Sequence, residues 1–132
     1  MASSSEVSMT LDTVRILVVE DDEDYAEWIE LALQGLGINS ITKAPDGVSA
    51  LNLTESDAAF DLIICDWLMP EMDGLTFLKR FRENVSSSMF LLLTAKSGLE
   101  DVFEATQAGA TNYLVKPLTV EELQQQVVSM LH

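Results

Sequence analysis

Four carboxylates, a hydroxyl and an amine stand directly behind short apolar runs in this 132-residue chain. Glu20-Asp21-Asp22 follows Ile16–Val19, Asp66 follows Leu62–Cys65, Thr94 follows Met89–Leu93, and Lys116 follows Tyr113–Val115. If those runs are strands of one parallel sheet, the groups at their carboxyl ends share a rim, where ligands of such sheets bind. Crowded carboxylates repel one another and hold on to protons unless a cation neutralises them. Oxygen donors favour a hard ion, and Mg2+ keeps several waters while taking a few carboxylates and a phosphate oxygen. The set therefore calls for a phosphoryl group. A strand-end carboxylate such as Asp66 can attack one and hold it as an acyl phosphate. Lys116 and the metal would neutralise its charge, and Thr94 could donate a hydrogen bond to it. Singly, each residue has an ordinary explanation, since Asp caps helices, Thr closes strands and an exposed Lys is solvated. The convergence carries the reading.

The elements that must position these groups are legible in the spacing. The four runs are continuous rather than alternating, as in strands buried on both faces of a parallel sheet, and a weaker fifth strand fits Ser40–Thr42. Helical periodicity links Ala26, Ile29, Leu33 and Leu36; then Leu75, Leu78 and Phe81; then Val120, Leu123, Val127 and Met130. Val48–Thr54 and Glu100–Ala108 read as shorter helices. Gly35 and Gly37 end the first helix, Gly109 ends the fourth, and Thr119 with Glu122 offers a capping box for the fifth. Five βα units with right-handed crossovers make a parallel sheet covered on both sides.

Composition sets the outer bounds. The length fits one domain, and 48% hydrophobic residues can supply a core at a size where folding hides roughly 65–70% of the surface. The Ser/Thr-rich residues 1–13 read as a flexible arm, leaving 14–132 as the folded domain. The longest apolar run, Met89–Leu93, is far short of the ~20 residues of a membrane span, so no membrane insertion is expected. No signal-peptide core follows the start, and the single cysteine, Cys65, excludes an internal disulfide. A reducing cytoplasm fits. Twenty-two acidic against seven basic residues give a net charge of −15, which repels phosphate backbones and argues against direct nucleic-acid binding. Trp28, the methionines and Cys65 read as packing, His132 as a bare chain end, and Ser86-Ser87-Ser88 as a polar turn.

Four segments together carry a resemblance. Ile16-Leu-Val-Val-Glu-Asp-Asp-Glu23, Asp66-Trp-Leu-Met-Pro-Glu-Met-Asp-Gly74, Thr94-Ala-Lys96 and Gly109-Ala-Thr-Asn-Tyr-Leu-Val-Lys-Pro117 resemble the receiver domain of two-component response regulators, with Asp66, Thr94 and Lys116 separated by 28 and 22 positions. The resemblance implies a flavodoxin-like doubly wound (βα)5 fold with strand order 2-1-3-4-5. It implies Asp66 as phosphoacceptor, Thr94 as the site hydroxyl, Lys116 as the cation bonded to the phosphoryl group, and a cis Lys116–Pro117 bond. Counting back from Gly37 gives Glu20 and Asp21 as the metal-binding pair, completed by Asp66 and the main-chain carbonyl of Leu68. Asp21 would bind the metal directly and Glu20 partly through water. A register one residue on would make the pair Asp21 and Asp22. Tyr113 stands at the switch position, although a half-buried strand tyrosine would look the same. The implied device is a shift of Thr94 toward the phosphoryl group, followed by inward rotation of Tyr113.

The implied function is a phosphorylation-activated switch, a stand-alone receiver that takes its phosphoryl group from a histidine kinase or a histidine phosphotransfer protein. It would catalyse only its own phosphorylation and dephosphorylation and signal through contact with a target protein. Monomer is the expected state, with phosphorylation-dependent association open. Leu68 and Lys96 flank the approach of a hydrolytic water and would tune phosphoryl lifetime. A relay intermediate and a phosphorylation-independent docking domain are the alternatives. A Mg2+-dependent phosphohydrolase would need a second Asp two positions after the nucleophile, where this chain has Leu68.

Overall fold

The computed structural model describes residues 11–56, 59–85 and 87–131. Of the expected arm, Leu11–Thr13 form a 3-10 turn whose Leu11 packs on the core; residues 1–10, like Ser86 and His132, lie outside the described residues.

Five strands, β1 (Arg15–Val19), β2 (Ser40–Ala44), β3 (Leu62–Asp66), β4 (Met89–Thr94) and β5 (Asn112–Val115), alternate with helices α1 (Glu23–Gln34), α2 (Gly47–Ser56), α3 (Gly74–Arg82), α4 (Leu99–Ala108) and α5 (Val120–Leu131). All strand pairs are parallel, in the order β2-β1-β3-β4-β5. This is the doubly wound flavodoxin-like arrangement. Ile16–Val19, Leu62–Asp66 and Phe90–Thr94 are buried throughout, as continuous apolar runs require.

The edges depart from the sequence reading. The Tyr113–Val115 run is not buried on both faces, because β5 ends the sheet and leaves Asn112 and Val115 exposed. β2 runs two residues past Thr42, since backbone pairing of Val18 with Lys43 and Val19 with Ala44 extends it where apolar composition does not. Lys43 leaves the sheet to bond Glu30 at 2.8 Å.

Alternate strand residues feed two cores. Leu17, Val19, Ile63, Cys65, Phe90 and Leu92 face α2, α3 and α4; Ile16, Val18, Leu62, Ile64, Leu91 and Leu93 face α1 and α5. Helix ends follow local chemistry. Asp22 caps α1 by accepting from the N–H groups of Asp24 and Tyr25, and Thr119 and Glu122 exchange side-chain and backbone bonds at α5. Gly109 closes α4 at φ 112°, a left-handed conformation that side chains other than glycine's rarely adopt. Gly74 opens α3 against β3, where a Cβ would stand 2.2 Å from the Asp66 carbonyl oxygen.

Candidate functional site

Parallel register delivers the site residues to one rim. Cys65 pairs with Val19 and Asp66 with Leu93, so Glu20, Asp66 and Thr94 leave neighbouring strands at one level. Thr94 pairs in turn with Val115, and the Lys116 N–H donates to the Thr94 carbonyl at 2.8 Å. The Lys116–Pro117 peptide is cis.

Glu20, Asp21 and Asp66 each bring a carboxylate oxygen within 4.8 Å of the others. Glu20 and Asp66 are buried and Asp21 is exposed. Asp22 is spent elsewhere, its Oδ1 accepting the α1 capping bonds and its own N–H donating to Glu20 Oε2 at 3.1 Å. Lys116 Nζ donates to Asp66 Oδ1 at 3.2 Å and lies 3.6 Å from Glu20 Oε1. That Glu20 oxygen is the buried side-chain oxygen or nitrogen without a hydrogen bond among the described residues. An acceptor buried without a donor is costly. Three convergent oxygens, one of them orphaned, fit a hard divalent cation, which Glu20, Asp21 and Asp66 would hold.

The electrostatics agree. Burial, reinforced by the Asp66 charge, pushes the Glu20 carboxyl up to about 7, against the pull of the Asp22 N–H and Lys116. Burial likewise raises Asp66, although Lys116 opposes it. The Lys116 ammonium is destabilised by its own burial, but Asp66 and Glu20 together hold it above the usual lysine range. One ammonium serves two carboxylates, leaving an excess of negative charge for a cation to neutralise.

The family described as the response regulator receiver domain matches residues 16–128. The chain belongs to that family. The receiver is 34% identical to the chemotaxis protein CheY-3 of Vibrio cholerae, across 86% of this chain and 88% of that protein. It is 39% identical to the transcriptional regulatory protein ZraR of Escherichia coli, across 88% of this chain but 26% of ZraR, so it spans about a quarter of that relative's length. The solved CheX-CheY-BeF3-Mg+2 complex of Borrelia burgdorferi superposes with a TM-score of 0.83 at 26% identity, covering 88% of this chain and 87% of that one.

The remaining receiver positions sit one layer out from the carboxylates. Thr94 is buried, and its Oγ1 accepts from the Lys96 N–H at 3.1 Å. Half-buried Tyr113 donates its hydroxyl proton to the Lys96 carbonyl and meets Trp67 edge-on at 6.2 Å. Lys96 closes this group, its ammonium 4.5 Å from the Trp67 ring centre and 3.8 Å from Asp101 Oδ1. Burial and the Asp101 charge raise the Tyr113 hydroxyl, keeping it a donor. Leu68, two positions after Asp66, lies in the loop beyond β3 and is 56% exposed.

Several contacts carry no signal in the sequence. Trp67 is unmarked there, and Trp28, which reads as packing, stacks on Tyr25 with centres 5.2 Å apart, while the Tyr25 ring lies 4.2 Å under Lys116 Nζ. Arg82, at the end of α3, donates to the carbonyls of Gly109 at 3.0 Å and Ser88 at 2.7 Å. The two residues lie 27 and 6 positions from Arg82. Nothing in local periodicity marks a cation for a ring or a carbonyl that only the tertiary fold brings near.

Proposed function

We propose that this receiver is a phosphorylation-activated signalling switch whose acceptor is Asp66. The observation that carries this is the pairing of the buried Asp66 carboxylate with Lys116 Nζ beside Glu20 and Asp21. An Asp66 oxygen attacks the phosphorus of a phosphohistidine on a histidine kinase or phosphotransfer protein. The new O–P bond forms as the P–N bond breaks, and the imidazole leaves with the electron pair. Lys116 accompanies the added charge, and Thr94 turns its hydroxyl from the Lys96 N–H toward a phosphoryl oxygen. Glu20, Asp21 and Asp66, with the Leu68 carbonyl, would hold Mg2+, which when bound neutralises phosphoryl oxygens. Capping by Asp22 favours Glu20 and Asp21 as the acidic pair. Of the two, exposed Asp21 would make the direct bond to the metal.

Tyr113 carries the event outward. Its hydroxyl is tied to the carbonyl of Lys96, whose N–H is tied to Thr94, so movement of Thr94 is felt at the ring. The output is contact with a target protein, in a cytoplasmic setting, and the domain is taken as 14–132.

Incubation with acetyl phosphate and Mg2+ should add one phosphoryl group, read by intact mass. The label should vanish in Asp66→Asn and be labile to alkali. Label persisting in that variant would overturn the assignment.

A further inference from the structure

The ammonium of Lys116 is gripped from three sides, and only two of them are charged. Asp66 Oδ1 lies at 3.2 Å and Glu20 Oε1 at 3.6 Å, while the face of Tyr25 lies 4.2 Å from Nζ. Tyr25 projects from the first turns of α1, and Trp28, three residues on, stacks against it at an interplanar angle of 26°. A cation within ~6 Å of a ring centre is held by the ring's quadrupole, and the hold strengthens when the cation is shielded from water. Here the lysine side chain is only 24% exposed. The Tyr25 hydroxyl is pushed up from its ordinary range by burial, so the ring stays a neutral phenol.

The two carboxylates are fickle partners. A carboxylate that shares its charge with a divalent cation, or has become an acyl phosphate, attracts an ammonium less strongly or in a different direction. The ring keeps its attraction throughout. Without it, a lysine with four rotatable bonds would be restrained only by groups whose charge changes during the reaction.

We propose that Tyr25 is a positioning residue for Lys116: its ring, braced by Trp28, holds the ammonium at Asp66 while the neighbouring carboxylates change partners. This rests on Asp66 being the phosphoryl acceptor. The ordinary alternative is that Tyr25 only packs against the α1–α5 core, where it and Trp28 make apolar contacts. Leucine would keep that packing without a ring face, whereas phenylalanine would keep both.

The experiment has two readouts. In the NMR spectrum of the unphosphorylated protein, the ε-methylene protons of Lys116 should be shifted upfield by the Tyr25 ring. The shift should persist in Tyr25→Phe and disappear in Tyr25→Leu. With subsaturating acetyl phosphate and Mg2+, the initial rate of Asp66 labelling should fall roughly fivefold in Tyr25→Leu and stay within about twofold of wild type in Tyr25→Phe. Tyr25→Met, flexible and ringless, serves as the second variant should leucine unsettle α1, and should match the leucine result. A wild-type spectrum without the upfield shift would overturn the proposal, as would a Tyr25→Leu rate equal to wild type. A phenylalanine variant as slow as leucine would overturn it too, by assigning the effect to the hydroxyl. If wild-type protein shows the shift but takes no label, the acceptor reading fails and takes the positioning role with it, while the contact itself stands.

Discussion

Helices α4 and α5 stand before and after the same edge strand, yet they are held to the sheet very differently. Both carry two acidic residues in the first turn. From α5, Leu123, Val127 and Leu131 are buried in the core they share with α1. From α4, only Ala105 is buried; Leu99 is 89% and Phe103 66% exposed. Burial of a large aliphatic side chain contributes about 1.5–3 kcal/mol and burial of an alanine far less, so α5 is anchored along its length and α4 at one point. The fixed points of α4 are at its ends. Asp101 bonds the Gly98 N–H and approaches Lys96 at the site end, and Arg82 grips Gly109 at the other. A helix held this way can move without opening the core, and its N-terminal end adjoins Lys96, whose backbone touches both Thr94 and Tyr113. Elements that move in switching come from the low-stability end of a fold.

The largest expected effect tests this contrast directly. Leu123→Ala should lower unfolding free energy by about 3 kcal/mol, whereas Phe103→Ala should stay within about 0.5 kcal/mol of wild type in urea denaturation. Similar losses would erase the distinction. Arg82→Ala should cost about 1 kcal/mol, because it strips part-buried carbonyls at Gly109 and Ser88 of their donor, and Arg82→Lys should restore little, since one ammonium cannot span that fork. A lysine variant as stable as wild type would show that the clamp is not geometric. Native-state hydrogen exchange should place the opening of α4 amides about 1–2 kcal/mol below that of α5 amides. Uniform protection would contradict the looser seating.

The smallest effect concerns the site that α4 overlooks. With Glu20 raised to about 7, the folded protein holds a proton between the ordinary glutamate value and about 7 that the unfolded chain releases. Stability of the metal-free protein should therefore fall as pH rises through that window. A cation bound by the same carboxylate competes with that proton, so the rise in melting temperature from millimolar Mg2+ should be smaller at pH 5 than at pH 8. Glu20→Gln should flatten the difference. An increment independent of pH in wild type would detach Glu20 from the cation.

The sequence made the middle of the molecule legible and its margins less so. β1, β3 and β4 announce themselves because strands covered on both faces must be apolar at every position, and the site residues inherit their level from those strands. β2 and β5 are stabilised by backbone pairing at an edge, which tolerates Thr, Lys and Asn, so β2 is longer than its apolar pattern and β5 less buried than its own. Among the site groups, the carboxylates, Thr94 and Lys116 are visible as strand-end chemistry. Tyr25 and Trp67 beside the site, and Arg82 at the far end of α4, are not, since each meets through a ring face or a guanidinium fork a partner that folding alone brings close. Counting back from Gly37 points to Glu20 and Asp21 rather than Asp21 and Asp22 as the acidic pair, whereas the capping bonds that occupy Asp22 come into view only in the structure.

Cys65 gives the central strand a built-in chemical reporter. Its thiol is fully buried beside Asp66, and burial together with the negative charge of Asp66 and Glu20 drives its pKa well above the ordinary thiol value. Alkylating reagents attack the thiolate, so in the closed protein the side chain is doubly protected, by inaccessibility and by its proton. As the chain's single cysteine, it makes alkylation a clean count of molecules in which β3 has come open. Under slow labelling the rate scales with the population of that opened state, and under fast labelling with the rate at which it appears. Comparing labelling with and without acetyl phosphate and Mg2+ would then measure whether that treatment changes how often β3 opens.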